Sequence, residues 1–281
     1  MRVLVTGVKG QLGYDVVLEL NKRGHESIGL DVNEMDITDA KTVEEVILLI
    51  NPDAVVHCAA YTAVDKAEDN YDTCYAVNAD GPRNIAKVCK ELDAKMVYIS
   101  TDYVFPGTGE AAYEIDDPKG PLSVYGKTKL AGEEAVREIL DKYFIVRIAW
   151  VFGKNGNNFI KTMLRLSKDH SEVNVVCDQI GSPTYTADLA PLLCDMIKTE
   201  KYGTYHATNE GYCNWAEFAQ TVFKEAGCNT KVNSITTDQY PTKTPRPSNS
   251  RMSKKSLDDN GFQRLPTWQD ALVRYLKEIN E

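Results

Sequence analysis

The chain has 281 residues, of which 43% are hydrophobic, 26% charged and 9% aromatic, a composition that excludes a disordered tract and provides for one large folded unit plus a smaller lobe. A formal charge of -9 argues against nucleic acid, which needs a face of Lys and Arg to displace condensed counterions. The seven cysteines show no CxxC or Cys/His ligand spacing and read as reduced, mostly core residues; no secretory leader or uncharged bilayer-length stretch is legible, so the expected location is the cytoplasm.

Short β-branched runs alternate with amphipathic segments from residue 1 to about residue 150, which predicts an α/β fold with a doubly wound parallel sheet. Strands are expected at Arg2 to Thr6, Glu26 to Asp31, Ala54 to Cys58, Lys95 to Ser100 and Phe144 to Ile148. Helical spacing is expected over Gln11 to Lys22, Ala40 to Ile50, Asp72 to Leu92 and Tyr125 to Leu140. After Trp150 the alternation weakens, and residues 151–281 read mainly as a smaller substrate lobe with some segments returning to the first domain. That lobe is expected to hold a short strand near Val173 to Val176 and a closing helix from Trp268. Three prolines in Tyr240 to Asn249 rule out regular helix or central strand there, and the segment reads as an ordered loop over a ligand.

The first strand runs directly into Gly7, Gly10 and Gly13, spaced GxxGxxG, and then into the first helix. In a strand-turn-helix such glycines permit a tight turn, approach of a pyrophosphate to bare backbone, and close helix-strand packing, while the helix start offers free N–H groups to the anion. Gln11 and Leu12 belong to the same turn. Asp31 ends the second strand about 20 residues on, where a carboxylate accepts from ribose hydroxyls. This favours NADH, whereas Lys9, Lys22 or Arg23 near a 2′-phosphate would favour NADPH. Asp36 and Ile37 are assigned to the adenine edge, and Ala59, Ala60 and Tyr61 to the carboxyl edge after the third strand, where ligands collect in such sheets.

Ser100-Thr101-Asp102 leaves the fourth strand, and Tyr125 and Lys129 lie four apart at the start of the next long helix, hence on one helix face. A nearby ammonium would bring the phenol into range for acid-base work, and Lys129 would also donate to the nicotinamide ribose. Thr101 is expected to polarise a substrate carbonyl. Isolated YxxxK is a common chance pattern; behind a glycine turn and a Ser-Thr strand end it reads as catalytic.

The runs STDYVFPG (Ser100 to Gly107), VYGKTKLAGE (Val124 to Glu133) and AAYTAVDKAE (Ala59 to Glu68) resemble the dTDP-4-dehydrorhamnose reductase family of extended short-chain dehydrogenases. GNNFIKTMLRL (Gly156 to Leu166), DQIGSPT (Asp178 to Thr184) and RPSNSRM (Arg246 to Met252) extend the likeness over nearly the whole chain. The resemblance implies NADPH- or NADH-dependent reduction of the C4 ketone of dTDP-4-dehydro-L-rhamnose, with Thr101, Tyr125 and Lys129 catalytic. It also implies that Thr101, Asp102 and Trp150 line the sugar site. It associates Mg2+ and a homodimer with the family, and no ligand set for the metal is legible around Asp15 or Asp188.

Asn158 at a helix start and the guanidinium forks of Arg246 and Arg251 suit the substrate's diphosphate, and Arg246 is expected to contact it. Core packing of Trp150 and surface ion pairing of the arginines are the plainer alternatives. Two other functions stay open on these residues: an epimerase or reductase for another nucleotide-activated 6-deoxysugar, and a non-enzymatic regulatory subunit.

Overall fold

A computed structural model describes residues 1–280. In chain order its first half holds β1 (Arg2–Thr6), α1 (Gln11–Lys22), β2 (Glu26–Leu30), α2 (Ala40–Ile50), β3 (Ala54–His57), α3 (Val64–Ala67), α4 (Tyr71–Tyr75), α5 (Gly81–Glu91), β4 (Lys95–Thr101), α6 (Val124–Ile139) and β5 (Tyr143–Ile148). The second half holds β6 (Val151–Phe152), α7 (Phe159–Asp169), β7 (Glu172–Val176), β8 (Ile180–Gly181), β9 (Thr184–Tyr185), α8 (Thr186–Met196), β10 (Gly203–His206), β11 (Cys213–Asn214), α9 (Trp215–Glu225), β12 (Lys231–Ile235), α10 (Lys255–Asp259) and α11 (Trp268–Asn280).

Six strands form one parallel sheet in the order β10-β5-β4-β3-β1-β2. Strand order reverses between β1 and β3, so the carboxyl ends of those two strands flank a crevice that no crossover covers. The period-two alternation of strand side chains builds a core on each face. Val3 and Val5 pack with Leu12, Val16 and Leu20 of α1 and with Leu189 and Leu193 of α8, while Leu4 faces Val43 and Ile47 of α2 and Ile85 of α5. Each such fully buried side chain contributes about 1.5–3 kcal/mol. The sixth strand, β10, and helix α8 come from beyond residue 150 and had no counterpart in the sequence-based elements.

The expected long helix over Asp72 to Leu92 is instead α4, a π-helical turn at Ala76–Asp80, and α5. Pro82 in the first turn of α5 brings no N–H to an i−4 partner, and the ladder slips there. The turn carries Asn78 inward, where its side chain accepts from the Tyr61 N–H at 2.8 Å and donates to the Tyr61 carbonyl at 3.1 Å. The smaller lobe gathers a third core around Phe152, Ile160, Phe218, Val222, Trp268 and Tyr275, with β7 and β12 paired in parallel over it. No helix among the described residues is long and apolar enough to cross a membrane.

Candidate active site

A single cavity of about 1640 Å³ runs from the crevice at β1 and β3 into the smaller lobe. Of the sequence-based site residues, Gly7, Gly10, Gln11, Leu12, Gly13, Asp31, Asp36, Ile37, Ala59, Ala60, Thr101, Asp102, Tyr125, Lys129, Trp150 and Arg246 line it. Tyr61, Asn158 and Arg251 do not.

At the crevice, Gly7 has φ +70°, and a Cβ there would stand 2.7 Å from the Ala59 nitrogen. A Cβ on Gly13 would stand 2.4 Å from the Gly7 carbonyl oxygen, so helix and turn meet at a distance that only glycine allows. Helix α1 starts after Gly10 with no side-chain cap, which leaves its leading N–H groups for another acceptor. Asp31 accepts from the Lys9 and Val32 N–H groups at 3.1 and 2.8 Å. Arg23, one of the three cations weighed for a 2′-phosphate, is tied to Glu19 and Asp195 at 2.6 and 2.5 Å and lies away from the cavity. This cradle fits a dinucleotide.

The side chains of Thr101, Tyr125 and Lys129 meet the cavity where β4 ends and α6 begins. Ser123 caps α6, its hydroxyl accepting from the Gly126 N–H at 3.0 Å, and so fixes Tyr125 in the first turn. Tyr125 meets the edge of Tyr103 with ring centroids 5.4 Å apart. Burial pushes its phenol well above the ordinary value of 10, with the neighbouring Thr101 hydroxyl pulling the other way. Lys129 is buried, and its Nζ donates to the Ile99 carbonyl at 2.7 Å and sits 4.1 Å from the Tyr98 ring centroid. Burial, opposed by Glu133, lowers Lys129 to about 7. Here the structure departs from the sequence-based expectation: the amine is anchored on the strand, and desolvation outweighs any help to phenol ionisation. The phenol therefore keeps its proton at neutral pH.

Thr101 donates to Asp102 Oδ1 at 2.8 Å, and Ser250 donates to Asp102 Oδ2 at 2.5 Å. Burial raises Asp102 to about 6 against these two hydrogen bonds. Behind this layer Glu133 accepts from Ser100 Oγ at 2.6 Å and from Arg147 Nε and Nη2 at 2.8 and 2.7 Å, and Arg137 adds a fourth donor at 2.7 Å.

The proline-rich segment is strapped across the cavity to α3. Thr244 donates its N–H to Asp65 Oδ1 at 3.1 Å and its hydroxyl to the Val64 carbonyl at 3.2 Å, while Lys243 pairs with Asp69. Arg246 pairs with Asp65 at 2.5 Å and donates to the Tyr103 hydroxyl at 3.3 Å.

The three residues outside the cavity have other partners. Asn158 caps α7 by accepting from the Lys161 N–H at 3.0 Å, and donates to Gln11 Oε1 at 3.1 Å and to the Tyr275 hydroxyl at 2.9 Å, clamping α7 to α1. Arg251 follows Ser250, and its side chain lies outside the cavity, where it reaches Asn249 Oδ1 at 3.0 Å and the Tyr212 ring. Tyr61 is held by Asn78 through its backbone. Sequence reasoning passed over Asp65, Tyr103, Trp215 and Ser250, all of which line the cavity. Asp65, Tyr103 and Ser250 stood inside motif runs already noted, while nothing local marked Trp215.

The acidic residues considered for Mg2+ are engaged within the chain. Asp15 accepts from Thr186, and Asp188 takes both Arg274 nitrogens at 2.7 and 2.8 Å together with Asn209 at 2.8 Å. No group of three or more His, Cys, Asp or Glu among the described residues is arranged to hold a metal. The residues present do not fit such an ion within one chain.

The switch-point cradle and the Tyr-Lys pair at the sheet's carboxyl edge define a Rossmann-type oxidoreductase of the extended short-chain dehydrogenase class. The chain belongs to the RmlD substrate binding domain family, which matches residues 1–281. It is 42% identical to the spore coat polysaccharide biosynthesis protein SpsK of Bacillus subtilis, over 99% of this chain and 97% of that protein. A dTDP-4-dehydrorhamnose reductase from Clostridium acetobutylicum superposes with a TM-score of 0.98 at 40% identity, covering all of both chains. That of Bacillus anthracis, solved in complex with NADP, gives 0.96 at 44% identity, covering 99% of each.

Proposed function

We propose that this chain reduces the C4 ketone of dTDP-4-dehydro-L-rhamnose to dTDP-L-rhamnose with NADPH or NADH. The observation that carries the reading is the opening of the glycine cradle, the Thr101, Tyr125 and Lys129 side chains and the Arg246 strap into one cavity. The cradle around Gly7, Gly10 and Gly13, with Asp31 and the Asp36-Ile37 edge, would hold the dinucleotide, which when bound supplies the hydride. Tyr125, kept protonated by burial, gives its proton to the ketone oxygen. Thr101 is oriented by Asp102 and steadies that same oxygen. Lys129 spends one donor on Ile99 and keeps its others for the phenol and the nicotinamide ribose. Arg246 leaves Asp65 for the diphosphate, to which a guanidinium binds through two parallel N–H groups.

The same reading makes the nucleotide sugar the principal partner and puts the enzyme in the cytoplasm, in keeping with seven unpaired thiols and an acidic chain unsuited to nucleic acid. The family likeness supports a homodimer. The test is to follow the absorbance of the reduced cofactor with dTDP-4-dehydro-L-rhamnose and to isolate the product. One cofactor oxidised per dTDP-L-rhamnose formed is expected. Turnover without net cofactor loss would point to an epimerase, and no turnover to a non-enzymatic subunit.

A further inference from the structure

The indole of Trp150 is held in a conformation it would not adopt unaided. Its backbone has φ +51°, a left-handed value that bulky side chains disfavour. Such a conformation persists only where the surroundings over-determine it. Thr184 pins the backbone, donating its N–H to the Trp150 carbonyl at 3.1 Å and its hydroxyl to the Ala149 carbonyl at 2.6 Å. Trp215 covers one face of the ring, with centroids 3.7 Å apart and planes 15° from parallel. Phe159 backs Trp215 at 4.7 Å. On Gly181 a Cβ would stand 2.9 and 3.0 Å from Trp150 Cε2 and Cζ2. Trp215 is itself fixed as the first residue of α9 by a reciprocal Asn214-Glu217 cap. Trp150, Trp215 and Phe159 all line the cavity on the side of the smaller lobe.

We infer that Trp215 is a positioning residue for the sugar: stacked on Trp150, it fixes the height and tilt of the indole surface on which the C–H face of the 6-deoxy ring rests, and so sets the distance from that ring to Tyr125. The inference rests on the reading that Trp150 packs on the sugar. Without Trp215 the strained Trp150 backbone has room to relax, and the indole turns away from that position. Gly181 acts from its own side by leaving space for the ring.

The test uses the full chain with Trp215→Leu, Trp215→Phe, Gly181→Ala and Trp150→Phe. Trp215→Leu should raise KM for the nucleotide sugar about five- to tenfold, the scale of one lost aromatic contact, with KM for NADPH unchanged. Trp215→Phe should recover most of that loss, and Gly181→Ala should raise the same KM while leaving Trp215 in place. The near-ultraviolet circular dichroism of a stacked indole pair should be present in the wild type and absent from Trp215→Leu. If Trp150→Phe raises the sugar KM while Trp215→Leu and Gly181→Ala leave it unchanged in folded protein, the inference falls and the sugar-site reading stands. If Trp150→Phe itself leaves the sugar KM unchanged, the sugar-site reading falls and takes the inference with it. Should Trp215→Leu fail to fold, Gly181→Ala decides the matter: a raised sugar KM supports the inference and an unchanged one overturns it.

Discussion

Replacing Glu133 by Ala removes the acceptor of four hydrogen bonds in the layer behind Thr101 and Tyr125. The Glu133 side chain is 0% and the Arg147 side chain 1% exposed, so the pair is desolvated. Arg147 would keep the Ile115 carbonyl at 2.9 Å and the edge of His206, too little for a buried guanidinium. Breaking a buried pair from one side costs about 3–5 kcal/mol, because the remaining charge is left without its partner. At about 2–4 °C per kcal/mol for a large domain, Tm should fall by roughly 6–20 °C in a calorimetric or circular-dichroism melt. Burial pushes the Glu133 carboxyl up, but Arg147 and Ser100 hold it below its ordinary value of 4.5. A depressed carboxyl contributes its stability above the unfolded value and loses it as pH falls toward the folded one. The Tm difference between wild type and variant should therefore hold from neutral pH down to about 4.5 and shrink below it. A loss under about 1 kcal/mol at neutral pH would refute the reasoning, since it would mean that the pair is not desolvated.

Tyr125→Phe should lower kcat by about 10² to 10⁴ with nucleotide-sugar affinity kept, as for a positioned proton donor; a rate within a few-fold of wild type would transfer the role to another group. Arg246→Ala should raise KM for the nucleotide sugar about ten- to hundredfold, the scale of charged hydrogen bonds, while KM for the cofactor stays put in steady-state assays. Asp31→Asn should move the ratio of kcat/KM for NADPH over NADH upward by about tenfold, because it turns one of the two acceptor oxygens into a donor and removes a charge facing any 2′-phosphate. An unchanged ratio would show that cofactor choice is made elsewhere.

Local pattern made much of this protein legible. Helices α1 and α2 match the expected spans because their apolar spacing, and for α2 the Asp39 cap, are properties of contiguous residues. The glycine turn, Thr101 and the Tyr125-Lys129 pair could be read because each belongs to a short run whose spacing already fixes its geometry. The break at Ala76–Asp80 was hidden, since it comes from Pro82 acting together with the backbone of Tyr61, a partner outside the helix.

What the sequence determined by itself was which segments of the first 150 residues become strand, turn and helix, the break at Ala76–Asp80 apart, and which side chains share a helix face, because those follow from interactions within a few residues. Tertiary structure alone decided that Lys129 anchors on Ile99, that Arg251 turns away one residue after Ser250 enters the cavity, and that Trp215 closes on Trp150 from 65 positions along the chain. Those outcomes depend on desolvation and on how segments pack in space, which exist only once the chain has folded.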